Sequence, residues 1–311
     1  MPTVLILLSD KRSGSTMFQR ELCRNPDVAT VAASPHRYLE THWWLMSAVL
    51  LGLPEPLFVG GRTYPGYGTA GDARRLMREL LHQNVPDFDA PASDRDLVFD
   101  GWEALCLSSG TPLFLEKSPQ TLANWAAITL LLQWMECTSM KVRIVGLVRN
   151  PHGVLYSASK LFGSDPRTRQ FAWMNTYKNL LALEKMLPAS AYMRVRYEDL
   201  VHDPEAEFRR VTEFAGVPHH SETGAEIQTA SEGKWRETPD YSLDLNLAVR
   251  QLAGAFGYDS EDLAVPAVKL YLEAVPAHSL RSRGQRWIAR RRDRLVRPAY
   301  LRMRALLGWG S

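Results

Sequence analysis

The chain has 311 residues, of which 45% are hydrophobic, so it can bury the core of one large α/β domain or of two small ones. Its three cysteines, Cys23, Cys106 and Cys137, lie far apart without a CxxC or His-rich pattern, which argues against a metal site and indicates idle thiols in a reducing compartment. Residues 281–311 contain ten arginines and one aspartate, a local charge of +9, so the net charge of +3 leaves −6 for the other 280 residues. This mildly acidic body argues against general nucleic-acid binding.

The first predicted element is a strand over the apolar run Val4–Leu8. No basic stretch precedes the run and no small-residue cleavage pattern follows it, so we do not interpret it as a signal peptide. No other apolar run reaches the roughly 18 to 20 residues that cross a bilayer. We therefore expect a cytoplasmic protein.

A polar turn, residues 9–14, follows the first strand directly and leads into a helical stretch. Gly14 allows the backbone to approach an anion, and the hydroxyls of Ser15 and Thr16 join the free amides at the start of the helix as donors. A nucleotide triphosphatase needs G-x-x-x-x-G-K-[ST], but here Ser9 replaces the first glycine and Ser15 occupies the lysine position. The turn predicts a phosphate site of another kind.

The later elements alternate between short β-branched runs and stretches of helical period. Further strands are predicted over Val28–Val31, Val142–Val148 and Tyr192–Arg196, and helices over 118–137 and 203–215. Residues 58–71 are rich in glycine and predict a long surface loop, either a plain connection or a cover over a pocket. This alternation is typical of a mostly parallel sheet flanked by helices. We predict one such domain over residues 1–280 and a separate basic arm over residues 281–311.

A second phosphate motif follows the strand Val142–Val148. The strand ends in Arg149, and Ser157 lies two turns into the next predicted helix. The guanidinium offers bidentate donors to a dianionic phosphate, and the serine hydroxyl can reach the same oxygens. Both motifs lie at carboxyl ends of strands, where open α/β sheets bind ligands.

Together these motifs resemble the sulfotransferases that use 3′-phosphoadenosine 5′-phosphosulfate (PAPS), including bacterial members that act on small molecules, carbohydrates or tyrosyl groups. The family's 5′-phosphosulfate loop has the pattern [KR]-[ST]-G-[ST]-[ST]. The resemblance implies a P-loop-like fold, PAPS as co-substrate and no metal. It also implies that the 5′-phosphosulfate is bound by Arg12, Ser13, Gly14, Ser15 and Thr16, and the 3′-phosphate by Arg149 and Ser157.

Three further segments are similar to the same family and occur in its order. Residues 197–204 match Y-E-D-L…D-P, which we interpret as mainly structural, with Tyr197 a candidate nucleotide contact. Residues 116–119 match E-K-[ST]-P, and the resemblance places Lys117 near the leaving phosphate. Residues 233–236 resemble a G-x-W-[KR] segment, which implies that the 3′-phosphate site is completed by Lys234, Trp235 and Arg236.

Transfer of a sulfuryl group to a hydroxyl is an in-line displacement that needs a general base and cations. Arg12 and Lys117 are the predicted cations. The resemblance places the base after the second strand, where we rank His36 first, Glu40 second and His42 third. Glu40 follows His36 by four residues and is expected on the same helical face.

The acceptor is predicted only by class, as a molecule that bears a hydroxyl. Trp43 to Met46 suit either an apolar or aromatic acceptor or core packing. The arm over residues 281–311 suits either a packed amphipathic helix or peripheral contact with anionic lipid. Two rival functions are a nucleotide-dependent kinase, which lacks its Walker lysine here, and a scaffold that binds nucleotide without turnover.

Overall fold

The computed structural model describes residues 1–35, 38–53, 69–227, 232–238 and 241–265. In this part of the chain five strands run parallel in one sheet. They are β1 (Thr3–Ser9), β2 (Val28–Ala29), β3 (Leu113–Lys117), β4 (Lys141–Val148) and β5 (Tyr192–Arg196). Their spatial order is β2-β3-β1-β4-β5, which confirms the predicted parallel α/β sheet.

The centre of the sheet is apolar on both faces. Leu7 of β1 and its partner Val145 of β4 are buried on one face, and Ile6 and its partner Ile144 are buried on the other, as expected for strands covered on two sides by helices. Parallel pairing brings the carboxyl ends of the strands to one edge, so that Ser9 lies opposite Leu147. The segments that follow β1, β3, β4 and β5 therefore meet at that edge.

Helices connect and flank the strands. They are α1 (Ser15–Leu22), α2 (Trp43–Leu50), α3 (Ala70–Asn84), α4 (Asp94–Ser108), α5 (Trp125–Cys137), α6 (Pro151–Phe162), α7 (Pro166–Met186), α8 (Tyr197–His202), α9 (Pro204–Ala215), α10 (Lys234–Glu237) and α11 (Leu247–Ala255). Three of them share one start signal, a side-chain cap followed by proline, at Asn150, Asp165 and Asp203.

The tryptophans after the predicted base segment belong to the core. Trp43 and Trp44 on α2 are almost completely buried, and Trp44 packs on Trp102 of α4 with ring centroids 5.3 Å apart. Leu45 and Met46 are buried beside them. Of the two interpretations that the sequence left open for these residues, core packing is the one that the structure supports.

Some predicted bounds are wrong. The helix expected from Ser118 begins only at Trp125, because Asn124 caps it and a short 3-10 turn over Thr121–Ala123 intervenes. The strand expected to end at Val31 ends at Ala29, and β3 was not predicted. Most of the predicted loop 58–71 and the whole arm 281–311 lie outside the described residues, while residues 1–264 pack as one compact unit.

No helix in the described ranges is both long and apolar enough to cross a membrane.

Candidate active site

The loop after β1 is held in an unusual backbone conformation. Arg12 has a φ of 72° and Gly14 a φ of 93°, both in the left-handed region. The Asp10 carboxylate anchors the loop, since it accepts hydrogen bonds from the Lys11 backbone N–H at 2.7 Å and from the Arg169 guanidinium at 2.5 Å. A left-handed arginine costs on the order of 1–3 kcal/mol, so these contacts must offset strain in the loop.

The next loop residue, Ser13, is held by a buried tyrosine. Its hydroxyl lies 2.8 Å from the hydroxyl of Tyr177, which itself donates to the Leu147 carbonyl at 3.0 Å. Since the single Tyr177 proton is used on Leu147, Ser13 donates to Tyr177. Ser13, a predicted ligand of the 5′-phosphosulfate, is fully buried, and its side chain stabilises the loop through this bond.

Gly14 lies where a side chain cannot fit. A Cβ at this position would stand 2.4 Å from Cδ2 of Tyr197 and would need a left-handed backbone. Gly14 is also the N-cap of α1, and it offers no side chain to bond the free amides of the first turn, which begins at Ser15. An uncapped helix N-terminus reached by a glycine loop fits an anion such as a phosphate.

The second phosphate motif interlocks with the first. Arg149, buried at the end of β4, lies with its guanidinium carbon 3.9 Å from the centroid of the Tyr197 ring, and its Nη1 donates to the Arg12 carbonyl at 3.0 Å. Arg12 Nε in turn donates to Ser157 Oγ at 3.0 Å. The structure thus brings together five of the predicted donor-site residues, Arg12, Gly14, Arg149, Ser157 and Tyr197.

The electrostatics of this cluster favour an anion. Burial, and after it the nearby charge of Arg149, hold the pKa of Arg12 below its ordinary value. Two guanidinium groups that repel each other in a partly buried site are stabilised by a shared anion.

Lys117 joins the base segment to the phosphate loop. Its side chain is completely buried at the end of β3, and Nζ donates to Glu40 Oε1 at 2.9 Å, to the Tyr38 carbonyl at 3.3 Å and to Thr16 Oγ1 at 3.4 Å. Because Thr16 lies on the first turn of α1, the ammonium group stands beside the predicted anion site. The predicted cation is therefore present at this edge of the sheet.

Glu40 is held by a cation and a histidine. Its Oε2 lies 2.9 Å from His42 Nε2, while Oε1 binds Lys117. Burial acts to raise the pKa of Glu40, but the hydrogen bonds and charges of His42 and Lys117 together outweigh it and lower that pKa to about 2. Burial lowers the pKa of His42, which favours the neutral imidazole. Because an ionised carboxylate can only accept, the 2.9 Å contact assigns the ring proton to Nε2.

The expectation that Glu40 shares a helical face with His36 is wrong. Residues 38–42 are not helical, because α2 begins only at Trp43 and His42, its N-cap, has a φ of 52°. His36 itself lies outside the described residues, so its role stays a prediction. His42, ranked third, is almost completely buried and contacts Glu40.

The third predicted segment packs along α6. Trp235 is buried and stacks on His152, with ring centroids 4.4 Å apart, and the hydroxyl of Thr238 lies 2.9 Å from that of Tyr156, the neighbour of Ser157. The other two predicted residues lie on the same short helix, where Arg236 donates to the carbonyls of Glu261 and Asp262 and Lys234 begins α10. Trp235 therefore has a packing role against the helix that carries Ser157.

Sequence reasoning missed three contributors to this edge, of which Asp10 and Glu116 are buried and Arg169 is partly buried. Asp10 and Arg169 anchor the loop, and Glu116 accepts hydrogen bonds from Thr41 and Ser118. Glu116 was quoted only as part of the E-K-[ST]-P match. The available signal was an acidic residue at the end of an apolar run, a position where burial follows if the run is a central strand.

Known proteins with similar sequences are sulfotransferases. A model of the sulfotransferase family matches residues 4–221. Carbohydrate sulfotransferase 1 from Mus musculus is 25% identical over 185 residues, which cover 45% of this chain and 45% of that protein, and the Rattus norvegicus protein is 27% identical over 119 residues, covering 32% and 29%. The chain therefore spans less than half the length of these curated relatives.

Two solved structures share the fold. The sulfotransferase domain of the Synechococcus PCC 7002 olefin synthase superposes with a TM-score of 0.59 and 21% identity, covering 83% of this chain and 96% of that domain. The sulfotransferase domain from the curacin biosynthetic pathway gives a TM-score of 0.54 and 20% identity, with coverage of 83% and 99%. At this identity the similarity establishes the fold.

Proposed function

Because the chain belongs to the sulfotransferase family, we propose that it transfers a sulfuryl group from PAPS to a hydroxyl group of an acceptor. The observation that carries this proposal is the interlocked pair of cationic motifs, in which Arg149 Nη1 bonds the Arg12 carbonyl and Arg12 Nε bonds Ser157. Two adjacent cationic motifs suit a nucleotide with phosphate groups on both its 3′ and 5′ oxygens better than they suit ATP.

In this proposal the cations act on the group that is transferred. Arg12 and Lys117 would neutralise the charge that develops on the sulfuryl and leaving-phosphate oxygens. Glu40 would take the proton of the acceptor hydroxyl, since its carboxylate is ionised and lies 2.9 Å from Lys117 at the anion site. The negative charge of a bound donor would partly neutralise the ammonium group of Lys117. Lys117 would then lower the pKa of Glu40 less, and the carboxylate would become a stronger base. His36 remains the rival base.

The acceptor class that we propose is a ring-bearing molecule with a free hydroxyl. Two exposed aromatic rings flank the cations. The centroid of the Tyr38 ring lies 5.6 Å from Lys117 Nζ, and that of the Phe162 ring lies 5.9 Å from the Arg12 guanidinium carbon. Such rings can stack on a sugar or on an aromatic acceptor. The carbohydrate sulfotransferases among its relatives favour the sugar.

The experiment is incubation with PAPS and a panel of sugars, phenols and aliphatic alcohols. We expect adenosine 3′,5′-bisphosphate (PAP) and a sulfated product, detected by chromatography and mass spectrometry. Lys117→Met should abolish turnover, whereas Lys185→Met, at an exposed lysine near the end of α7, should not. Transfer from ATP would favour the kinase, and PAP binding without turnover on any acceptor would favour the scaffold. A cytoplasmic location stays a separate prediction.

A further inference from the structure

Glu116 is a buried carboxylate one residue before the cation Lys117. It is 2% exposed, and its Oε1 accepts hydrogen bonds from Thr41 Oγ1 at 2.9 Å and from Ser118 Oγ at 2.5 Å. Its Oε2 is buried without a partner in the described part of the chain. A buried carboxylate is costly, so its retention at this position needs a reason.

The two hydroxyl groups connect Glu116 to the backbone that precedes α2. Thr41 Oγ1 accepts the N–H of Trp43 at 3.2 Å, and Ser118 Oγ accepts the N–H of His42 at 2.9 Å. Each hydroxyl has one proton, and both protons are donated to Glu116. The carboxylate therefore fixes the direction of both hydroxyls, and the hydroxyls in turn fix two backbone amides.

The amides held in this way belong to a strained turn. His42 has a φ of 52°, a left-handed conformation that a histidine adopts only when its surroundings enforce it. This turn points the His42 imidazole at Glu40, where Nε2 lies 2.9 Å from Oε2. The other Glu40 oxygen then faces Lys117. Glu116 is therefore linked to the carboxylate of Glu40 by hydrogen bonds on both sides of His42, one set on its backbone turn and one on its imidazole.

We propose that Glu116 is a positioning residue that orients the Glu40 carboxylate through Thr41, Ser118 and His42. The proposal concerns the role of Glu40 and so rests on the proposed function. Glu116 acts on Glu40 indirectly, through its near neighbour Ser118 and through Thr41 and His42 of the segment before α2. A misplacement of about 1 Å in a reacting group can cost about a hundredfold in rate, so loss of these hydrogen bonds should slow turnover without weakening nucleotide binding.

Two substitutions separate this role from a merely structural one. Glu116→Gln keeps an acceptor oxygen for both hydroxyls and should keep turnover within about threefold of wild type. Glu116→Ala removes the acceptor and should lower kcat about tenfold to a hundredfold with unchanged affinity for PAP. If Glu116→Ala does not fold, Thr41→Val combined with Ser118→Ala removes the same hydrogen bonds and should give the same loss.

A double-mutant cycle with Glu40→Gln tests whether Glu116 acts through Glu40. Glu116→Ala should add no further loss of kcat in the Glu40→Gln background. A residue that only supports the fold would lower kcat by the same factor in both backgrounds, and that result would overturn the proposal. Glu21→Ala is the matched control, because Glu21 is an equally buried carboxylate that bonds Arg20 and the Glu226 amide.

A second readout needs no turnover. Carbon-13 NMR of the carboxyl groups in the nucleotide-free protein should show the pKa of Glu40 near 2 in wild type and in Glu116→Gln, and closer to the ordinary value in Glu116→Ala. An unchanged pKa in Glu116→Ala would contradict the proposal. If wild type proves inactive with PAPS, the proposed function fails, while this measurement still decides whether Glu116 orients Glu40.

Discussion

Arg12 Nε donates a hydrogen bond to Ser157 Oγ at 3.0 Å, although the two residues are 145 positions apart in the chain. The sequence assigns Arg12 to the 5′ end of the donor and Ser157 to its 3′-phosphate. Their direct contact joins the two motifs into one anion-binding surface. Because Ser157 only accepts in this bond, its own proton can still be donated to a phosphate oxygen.

The first prediction is that PAP binds more tightly than AMP by about 2–5 kcal/mol, the cost of losing a charged and partly buried phosphate contact. Ser157→Ala and Arg149→Lys should narrow this difference, because each removes donors to the 3′-phosphate. Both residues also bond Arg12, so the affinity for AMP in each variant measures how far the 5′-phosphate loop is disturbed. Isothermal calorimetry with both nucleotides measures it. Equal affinities in wild type would refute the 3′-phosphate assignment.

A second prediction concerns Gly14→Ala, which adds a methyl group 2.4 Å from the Tyr197 ring at a φ of 93°. Backbone strain alone should lower the free energy of unfolding by about 1–3 kcal/mol. Displacement of Tyr197 should also disturb Arg149, which packs on the same ring, so PAP affinity should fall. Urea denaturation and calorimetry check both effects.

The control for that substitution is Gly254→Ala on α11, where an added methyl group meets nothing within 4 Å. Alanine in a helix is favoured over glycine by up to about 1 kcal/mol, so this variant should be as stable as wild type or slightly more stable. A similar loss of stability in both variants would show that crowding at Tyr197 is not the cause.

Local signals predicted the parts of the fold that depend on local structure. The strand Tyr192–Arg196 has the predicted bounds. The helix predicted over residues 203–215 begins one residue later, at Pro204, and ends at Ala215 as predicted, because the Asp-Pro cap and Gly216 are local signals. The two phosphate motifs were equally local. Their direct contact was not predicted, since it depends on how β1 and β4 pair in the sheet.

The arrangement around Lys117 was beyond local signals. Lys117 meets Thr16 across 101 positions and Glu40 across 77, and Arg169 meets Asp10 across 159. The helical spacing of His36 and Glu40 suggested a shared face, but the bonds of Thr41 and Ser118 to Glu116 hold that segment in a non-helical turn. Tertiary hydrogen bonds thus override the local pattern at the site.

The third prediction distinguishes the two candidate bases. Glu40→Gln should lower kcat about a hundredfold or more with PAP affinity nearly intact, because a general base acts on the acceptor. Arg12→Ala should lower both turnover and nucleotide affinity. His82→Ala, at an exposed histidine on α3, controls for loss of any histidine. If His36→Ala loses turnover while Glu40→Gln retains it, His36 is the base and our assignment of Glu40 is wrong.

A fourth prediction follows from the lowered pKa of Glu40, which is about 2 against an ordinary value of 4.5. A carboxylate with a depressed folded-state pKa contributes stability above pH 4.5 and loses it as the pH falls towards 2, a contribution on the order of 3 kcal/mol. Glu40→Gln should remove this pH dependence. Urea denaturation at pH 5, 4 and 3 measures the free energy of unfolding of both proteins. If it falls equally in both as the pH falls, the lowered pKa of Glu40 is contradicted.

The last prediction concerns Glu116, whose contribution to stability changes with pH in the opposite direction. Its pKa is raised from 4.5 to about 7, mainly by burial and secondarily by the charge of Glu40. Ser118, Thr41 and Lys117 act to lower it. Between these values the unfolded chain has released a proton that the folded protein keeps, so stability is complete below pH 4.5 and falls by on the order of 3 kcal/mol as the pH rises to 7. Glu116→Gln cannot ionise and should be more stable than wild type at pH 7.5 by that amount, with the advantage shrinking towards pH 4.5. The buried His42 loses stability as the pH falls in the same range, but it does so in both proteins, so the difference between their unfolding free energies isolates Glu116. A difference that stays constant from pH 4.5 to 7.5 would show that Glu116 is ionised throughout.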